Sequence, residues 1–173
     1  MRTLCGLALV SLCVCAPGSG VVRADKDHDE VTLRATLRGA NEVPPINTAA
    51  TGRFTATIHE DGMIDFTLTF ANLSTNAIVS HIHFGQPNVA GGVMIFLCGG
   101  GNQPACPAAK SGTITGTITP ANVTGPAAQG VTVGDLASGL RIIANGEGYA
   151  NLHTTMFPAG EIRGQVRTRG EDN

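Results

Sequence analysis

Apolar and polar positions alternate with a period of two along most of the chain, the pattern of strands that bury one face. Val31, Leu33, Ala35 and Leu37 fall on one side, with Thr32, Arg34, Thr36 and Arg38 on the other. Asn41-Glu42-Val43-Pro44-Pro45 ends this segment, because consecutive prolines cannot donate to a ladder. Phe54, Ala56 and Ile58 lead into Glu60-Asp61-Gly62, a hairpin turn, and Ile64, Phe66, Leu68 and Phe70 carry the return strand. Further strands are predicted near 78–84, 93–97, 112–119, 149–153 and 161–168. One segment changes period. Leu136, Leu140 and Ile143 recur at helical spacing within Asp135–Ala144, and Asn145-Gly146 supplies the stop. Short strands with Gly and Pro punctuation predict an all-β fold, a β-sandwich or Greek-key barrel with one short helix near 135–144. No internal repeat and no dividing linker is visible, so residues 31–168 read as one domain.

The first residues follow a different rule. Arg2 is a positive lead, Leu4 to Ala16 is a short apolar run, and Pro17-Gly18-Ser19-Gly20 breaks it. Val22-Arg23-Ala24 places small residues where a signal peptidase needs them, so residues 1–24 are expected to be a signal peptide cleaved near Ala24. A retained anchor is the other reading, although the run is too short to span a bilayer. Residues 25–30 read as a flexible charged leader and 169–173 as a tail. Export predicts a secreted, periplasmic or cell-surface protein without a stable membrane span.

Cysteine usage fits export. Cys5, Cys13 and Cys15 lie in the expected signal, leaving Cys98 and Cys106, a pair predicted to form a disulfide around Gly99–Ala105. Composition excludes more than it names. Charged residues are 14% and hydrophobic residues 42%, which rules out a disordered polar chain. Eleven Lys+Arg against 13 Asp+Glu leaves no basic excess, which argues against a nucleic-acid partner. Aromatics at 4% with no Trp are thin for stacking bases or sugar rings. Asn72-Leu73-Ser74 and Asn122-Val123-Thr124 are glycosylation sequons that matter only in a eukaryotic secretory pathway.

The candidate chemistry comes from the facing of the late strands. Within Ile78–Phe84, Ile78, Ile82 and Phe84 point to the core, while His81 and His83 point away side by side. Within Gly148–His153, Ala150 and Leu152 face in, and Tyr149, Asn151 and His153 face out. Within Glu161–Val166, Ile162 and Val166 face in, and Glu161, Arg163 and Gln165 face out. His81, His83 and His153 are thus candidates for one polar surface, with Glu161 or Arg163 at its rim. Three imidazoles on one face suit copper or zinc. Equally, such histidines staple loops by bonding backbone carbonyls, and spacing alone does not choose. Glu42 before two prolines is either a fixed loop carboxylate partnering Arg163 or a plain turn residue. His59 reads as solvated surface. No Ser/His/Asp order, P-loop or dinucleotide fingerprint is present.

Several of these segments also carry a resemblance. Leu37-Arg38-Gly39-Ala40-Asn41-Glu42-Val43-Pro44-Pro45, Ala50-Thr51-Gly52 and His81-Ile82-His83-Phe84-Gly85 resemble the CHRD (chordin) domain family. So do Gly148-Tyr149-Ala150-Asn151-Leu152-His153-Thr154 and Pro158-Ala159-Gly160-Glu161-Ile162-Arg163-Gly164, in order from about Val31 to Arg167. The resemblance implies an extracellular, immunoglobulin-like β-sandwich. A fainter one, to copper/zinc superoxide dismutases, casts His81 and His83 as paired copper ligands, His153 as the later one and Arg163 as an anion-guiding arginine. That second pattern lacks a bridging histidine after His83 and a histidine-rich zinc subloop. Three functional readings stand at this point. The first is a non-catalytic binding module for an unknown extracellular protein or surface ligand. The second is a copper or zinc protein using His81, His83 and His153, and the last a dismutase-like redox enzyme.

Overall fold

The computed structural model describes residues 31–169. The expected signal peptide, the leader and nearly all of the tail lie outside the described residues. Strand β1 (Val31–Arg38) pairs in register with β2 (Thr51–Ile58), and β2 with β3 (Ile64–Ala71), an antiparallel meander. Alternation explains it. Leu33, Leu37, Phe54, Ile64 and Leu68 are fully buried on one face, while threonines and arginines occupy the other. The β2–β3 hairpin turns where Glu60-Asp61-Gly62 predicts. Gly62 takes φ +80°, His59 N–H donates to the Met63 carbonyl, and Asp61 accepts from the Met63 amide. His59 sits at this turn and meets Asp65 at 2.9 Å.

The remaining strands are β4 (Ala77–Phe84), β5 (Gly92–Cys98), β6 (Gly112–Ile118), β7 (Gly148–Thr154), β8 (Ile162–Gln165) and β9 (Arg167–Thr168). The sheet runs β5-β4-β7-β8-β1-β2-β3-β6, with β9 also on β1. The all-β sandwich-like expectation holds, but the two layers are one hydrogen-bonded sheet folded over rather than two separate sheets. They join along a seam where β8 meets β1 at Arg38↔Arg163 and β9 meets it at Leu33↔Thr168 and Arg34↔Arg167. At the open side, Ile95 bridges Val123. The segment expected as one strand over 161–168 is two short strands flanking Val166, whose amide bonds the Gly148 carbonyl in continuation of the β7–β8 register.

Helix α1 (Leu136–Ala144) forms where the period changes. Asp135 caps it by accepting from the Ser138 amide at 3.0 Å. Asn145 and Gly146 (φ +72°) stop it, and Leu136, Ile142 and Ile143 face the core. Cys98 and Cys106 are joined as a disulfide, as expected. Asn72 is exposed, whereas Asn122 is buried with its carboxamide bonded to Thr119 and Gly101. A glycan therefore fits only the first of the two sequons.

Candidate metal centre

Strands β4 and β7 lie side by side, and their register creates the centre. His83 stands opposite Tyr149, His81 opposite Asn151, and Val79 opposite His153. All three histidines project from the face away from the core, as alternation predicts, but Ile78, expected on the core side, is exposed where the register shifts between Ala77 and Val79. That face is not open, however. The histidines are 7%, 8% and 6% exposed, and every residue of β7 is buried. An outer-face site in solvent is thus corrected to a closed one. The connections 85–91 and 155–161 pack over the sheet, so this region is covered on both faces.

The imidazoles form a compact triangle. His81 meets His153 with ring centroids 4.8 Å apart and His83 at 5.1 Å, and His83 lies 6.1 Å from His153. Phe96 closes one side, edge-on to His81 at 4.7 Å. Tyr149 lies parallel to His83 at 4.7 Å, and the Arg163 guanidinium sits 3.4 Å above the Tyr149 ring. His83, Tyr149 and Arg163 make one stack.

Two of the three rings are fixed through Nδ1. His83 Nδ1 donates to the Gly91 carbonyl at 3.0 Å, and His153 Nδ1 to the Pro158 carbonyl at 3.1 Å. These bonds leave Nε2 as the lone-pair nitrogen of both rings. His83 Nε2, His153 Nε2 and His81 Nδ1 are solvent-inaccessible and have no hydrogen-bond partner. One ligand nitrogen from each histidine lies within 4.8 Å of the other two. Stapling and convergence, the two alternatives left open by spacing, are both present. In His83 and His153 they belong to opposite nitrogens of the same ring.

Electrostatics keep those lone pairs free. Burial pushes His81 down to about 3, helped by His153 and His83. It pushes His83 down to about 4 against the Gly91 bond, and it lowers His153 against the Pro158 bond. The three rings are neutral near pH 7, the state that binds metal.

The expected rim residues divide. Arg163 stands beside the centre through Tyr149, but its Nη2 donates to the Gln86 and Val89 carbonyls, each at 2.9 Å, and it is almost fully buried. It clamps the 85–91 connection, so an anion-guiding role at an open mouth does not fit. Glu161 accepts from Thr48, Thr154 and both the amide and hydroxyl of Ser74. Burial raises its pKa, yet these donors outweigh that and hold it below its ordinary value. Glu161 is a loop staple rather than a member of the histidine triangle. Glu42 is indeed fixed, but by Asn151, whose Nδ2 donates to it at 2.6 Å; Arg163 acts on it only through space. Burial raises Glu42 to about 7 despite both partners.

Sequence reasoning did not single out Gly91, Phe96 or Pro158. The nearest available signals were the Gly85–Gly92 glycines after His-x-His and the Pro158-Ala159-Gly160 turn. Tyr149 was placed on the right face without a role. Gly91 leaves no room for a side chain, since a Cβ would strike the Phe84 carbonyl, and its amide donates to the Tyr149 hydroxyl.

Fold and site define an all-β, disulfide-bonded domain with a buried trio of histidines between two covering loops. The chain belongs to the CHRD domain family, whose model matches residues 33–166. No curated protein and no solved structure matches it. Among the described residues no helix is long and apolar enough to cross a membrane.

Proposed function

We propose that this CHRD domain is a non-catalytic, exported binding module whose ligand is a metal ion, copper or zinc, held by His81, His83 and His153. One observation carries the reading. Three neutral imidazoles each hold a buried, partnerless nitrogen, one ligand nitrogen of each lies within 4.8 Å of the other two, and unsatisfied buried polar atoms are rare in folded proteins. A metal ion satisfies all three at once. Carbonyls behind His83 and His153 orient the rings, as outer partners do for metal-ligating imidazoles generally. Bonds of about 2 Å hold nitrogens at most about 4 Å apart, so binding draws the rings inward by up to about an ångström. The test is binding of one equivalent of copper, in either oxidation state, or of zinc to the full chain, read by calorimetry and native mass spectrometry. A protein that binds none of them above a variant with all three histidines changed to Ala overturns the reading.

A further inference from the structure

The histidine triangle also discriminates among ions, an inference that rests on the proposed metal reading. We infer that the centre is built for monovalent copper, with His81 Nδ1, His83 Nε2 and His153 Nε2 as a three-coordinate nitrogen set. Coordination number is the first argument. Among the described residues no Asp, Glu or Cys joins the three histidines, and their ligand nitrogens are sealed from solvent. Zinc takes four ligands, completing a three-residue site with water. Cupric ion takes a tetragonal set of nitrogen and oxygen ligands. Cuprous ion is a closed-shell cation satisfied by three, or even two, soft or borderline donors.

Charge is the second argument. The Born cost of burying an ion grows with the square of its charge, so a divalent ion costs roughly four times a monovalent one in the same cavity. A buried carboxylate would offset that cost, but the nearby carboxylates are committed elsewhere. Glu161 is engaged by Thr48, Ser74 and Thr154, and Glu42 by Asn151. The charged group next to the centre is Arg163, stacked on the ring that stacks on His83. A guanidinium there further penalises a dication.

Phe96 is the third argument. Its ring lies edge-on to His81 at 4.7 Å, so one flank that a fourth ligand would approach is walled by hydrocarbon. The unpartnered set is asymmetric, Nδ1 in His81 and Nε2 in the other two.

The experiment uses the full chain with Cys5→Ser, Cys13→Ser and Cys15→Ser, so that no thiol of the first 24 residues competes, and with the Cys98–Cys106 disulfide kept oxidised. Cuprous ion, supplied anaerobically as its acetonitrile complex, is titrated against a chromogenic cuprous chelator; zinc and cupric ions are titrated against chelators of their own. The expected result is one equivalent of cuprous ion bound at least about 100-fold more tightly than zinc, with a loss of cuprous affinity of similar size in His81→Leu. X-ray absorption should show three nitrogen scatterers and no sulfur, and this readout does not depend on any variant folding. Zinc or cupric ion bound as tightly as cuprous ion, or sulfur around the copper, overturns this inference and leaves the three-histidine reading standing. Failure of all three ions to bind removes both.

Discussion

The two nitrogens of each imidazole are separate groups with separate consequences, and substitutions resolve them. His81 Nδ1 is buried without a partner, and such a group costs about 1–3 kcal/mol when nothing satisfies it. His81→Leu replaces it with hydrocarbon of similar size. The expected outcome is a metal-free melting temperature that is unchanged or higher, with metal affinity lowered about 100-fold, measured by thermal scans and calorimetry on one preparation. His83→Ala behaves differently, because it deletes the bond to Gly91 and the stack on Tyr149. It should lose metal binding and also about 2–4 kcal/mol of metal-free stability in denaturant unfolding. An unchanged midpoint would remove the stapling role from His83. The direction in which these side chains point was legible in the sequence, since a period of two turned His81, His83 and His153 the same way. Their burial was not legible, because the carbonyls of Gly91 and Pro158 come from aperiodic connections whose path no pattern encodes.

Between residues and the whole fold, the connections do the positioning. The 85–91 segment is held by Arg163 at Gln86 and Val89, by Tyr149 at the Gly91 amide, and by His83 at the Gly91 carbonyl. Gly91→Ala places a methyl group against the Phe84 carbonyl, so the segment cannot seat. Metal affinity should fall about 10–100-fold although no ligand has changed, the size of effect seen when partners that orient ligands are lost. Calorimetry showing wild-type affinity would mean that the connection is a bystander. The disulfide acts on a different element, the glycine-rich turn that follows β5. Replacing Cys98 and Cys106 together by Ala should cost about 2–3 kcal/mol through a freer unfolded chain, while leaving the strands assembled. Circular dichroism and denaturant midpoints check this, and mass spectrometry without reduction should show wild type two protons lighter than its reduced form. Elements with a strong local signal, such as the Glu60-Asp61-Gly62 hairpin and the helix capped by Asp135, were readable in advance. The change of partner at Val166 was not, since Glu161–Thr168 alternates without interruption while its first half pairs mainly with β7 and its last two residues pair with β1.

At the scale of the molecule, strand order escaped the sequence altogether: nothing in the spacing of His81 and His153 says that β4 and β7 are neighbours. That pairing concentrates ionisable groups in one covered region, so stability must depend on pH. The three histidines are neutral when folded, with His81 held near 3, His83 near 4 and His153 lowered, chiefly by burial. The unfolded chain takes up protons below about 6.5, so between pH ~6.5 and ~4 it binds more protons than the native state, and stability falls as pH falls. Glu42 works in the opposite sense. Its native value is about 7, raised by burial from 4.5, so the native state holds the extra proton between those values. Its contribution therefore grows as pH falls from about 7 to about 4.5 and is absent at high pH. Each fully displaced group changes stability by about 1.4 kcal/mol per pH unit, and three histidines outweigh one carboxylate. Metal-free wild type should lose stability from pH 6.5 down to 4.5 in denaturant unfolding. Glu42→Gln, which keeps an acceptor for Asn151, should lose it more steeply. The variant should gain on wild type as pH rises from 4.5 to 7 and keep a constant advantage above that. Superimposable curves for variant and wild type would show that Glu42 titrates normally, and a wild-type stability that rises as pH falls, the trend Glu42 alone would set, would show that the histidines do.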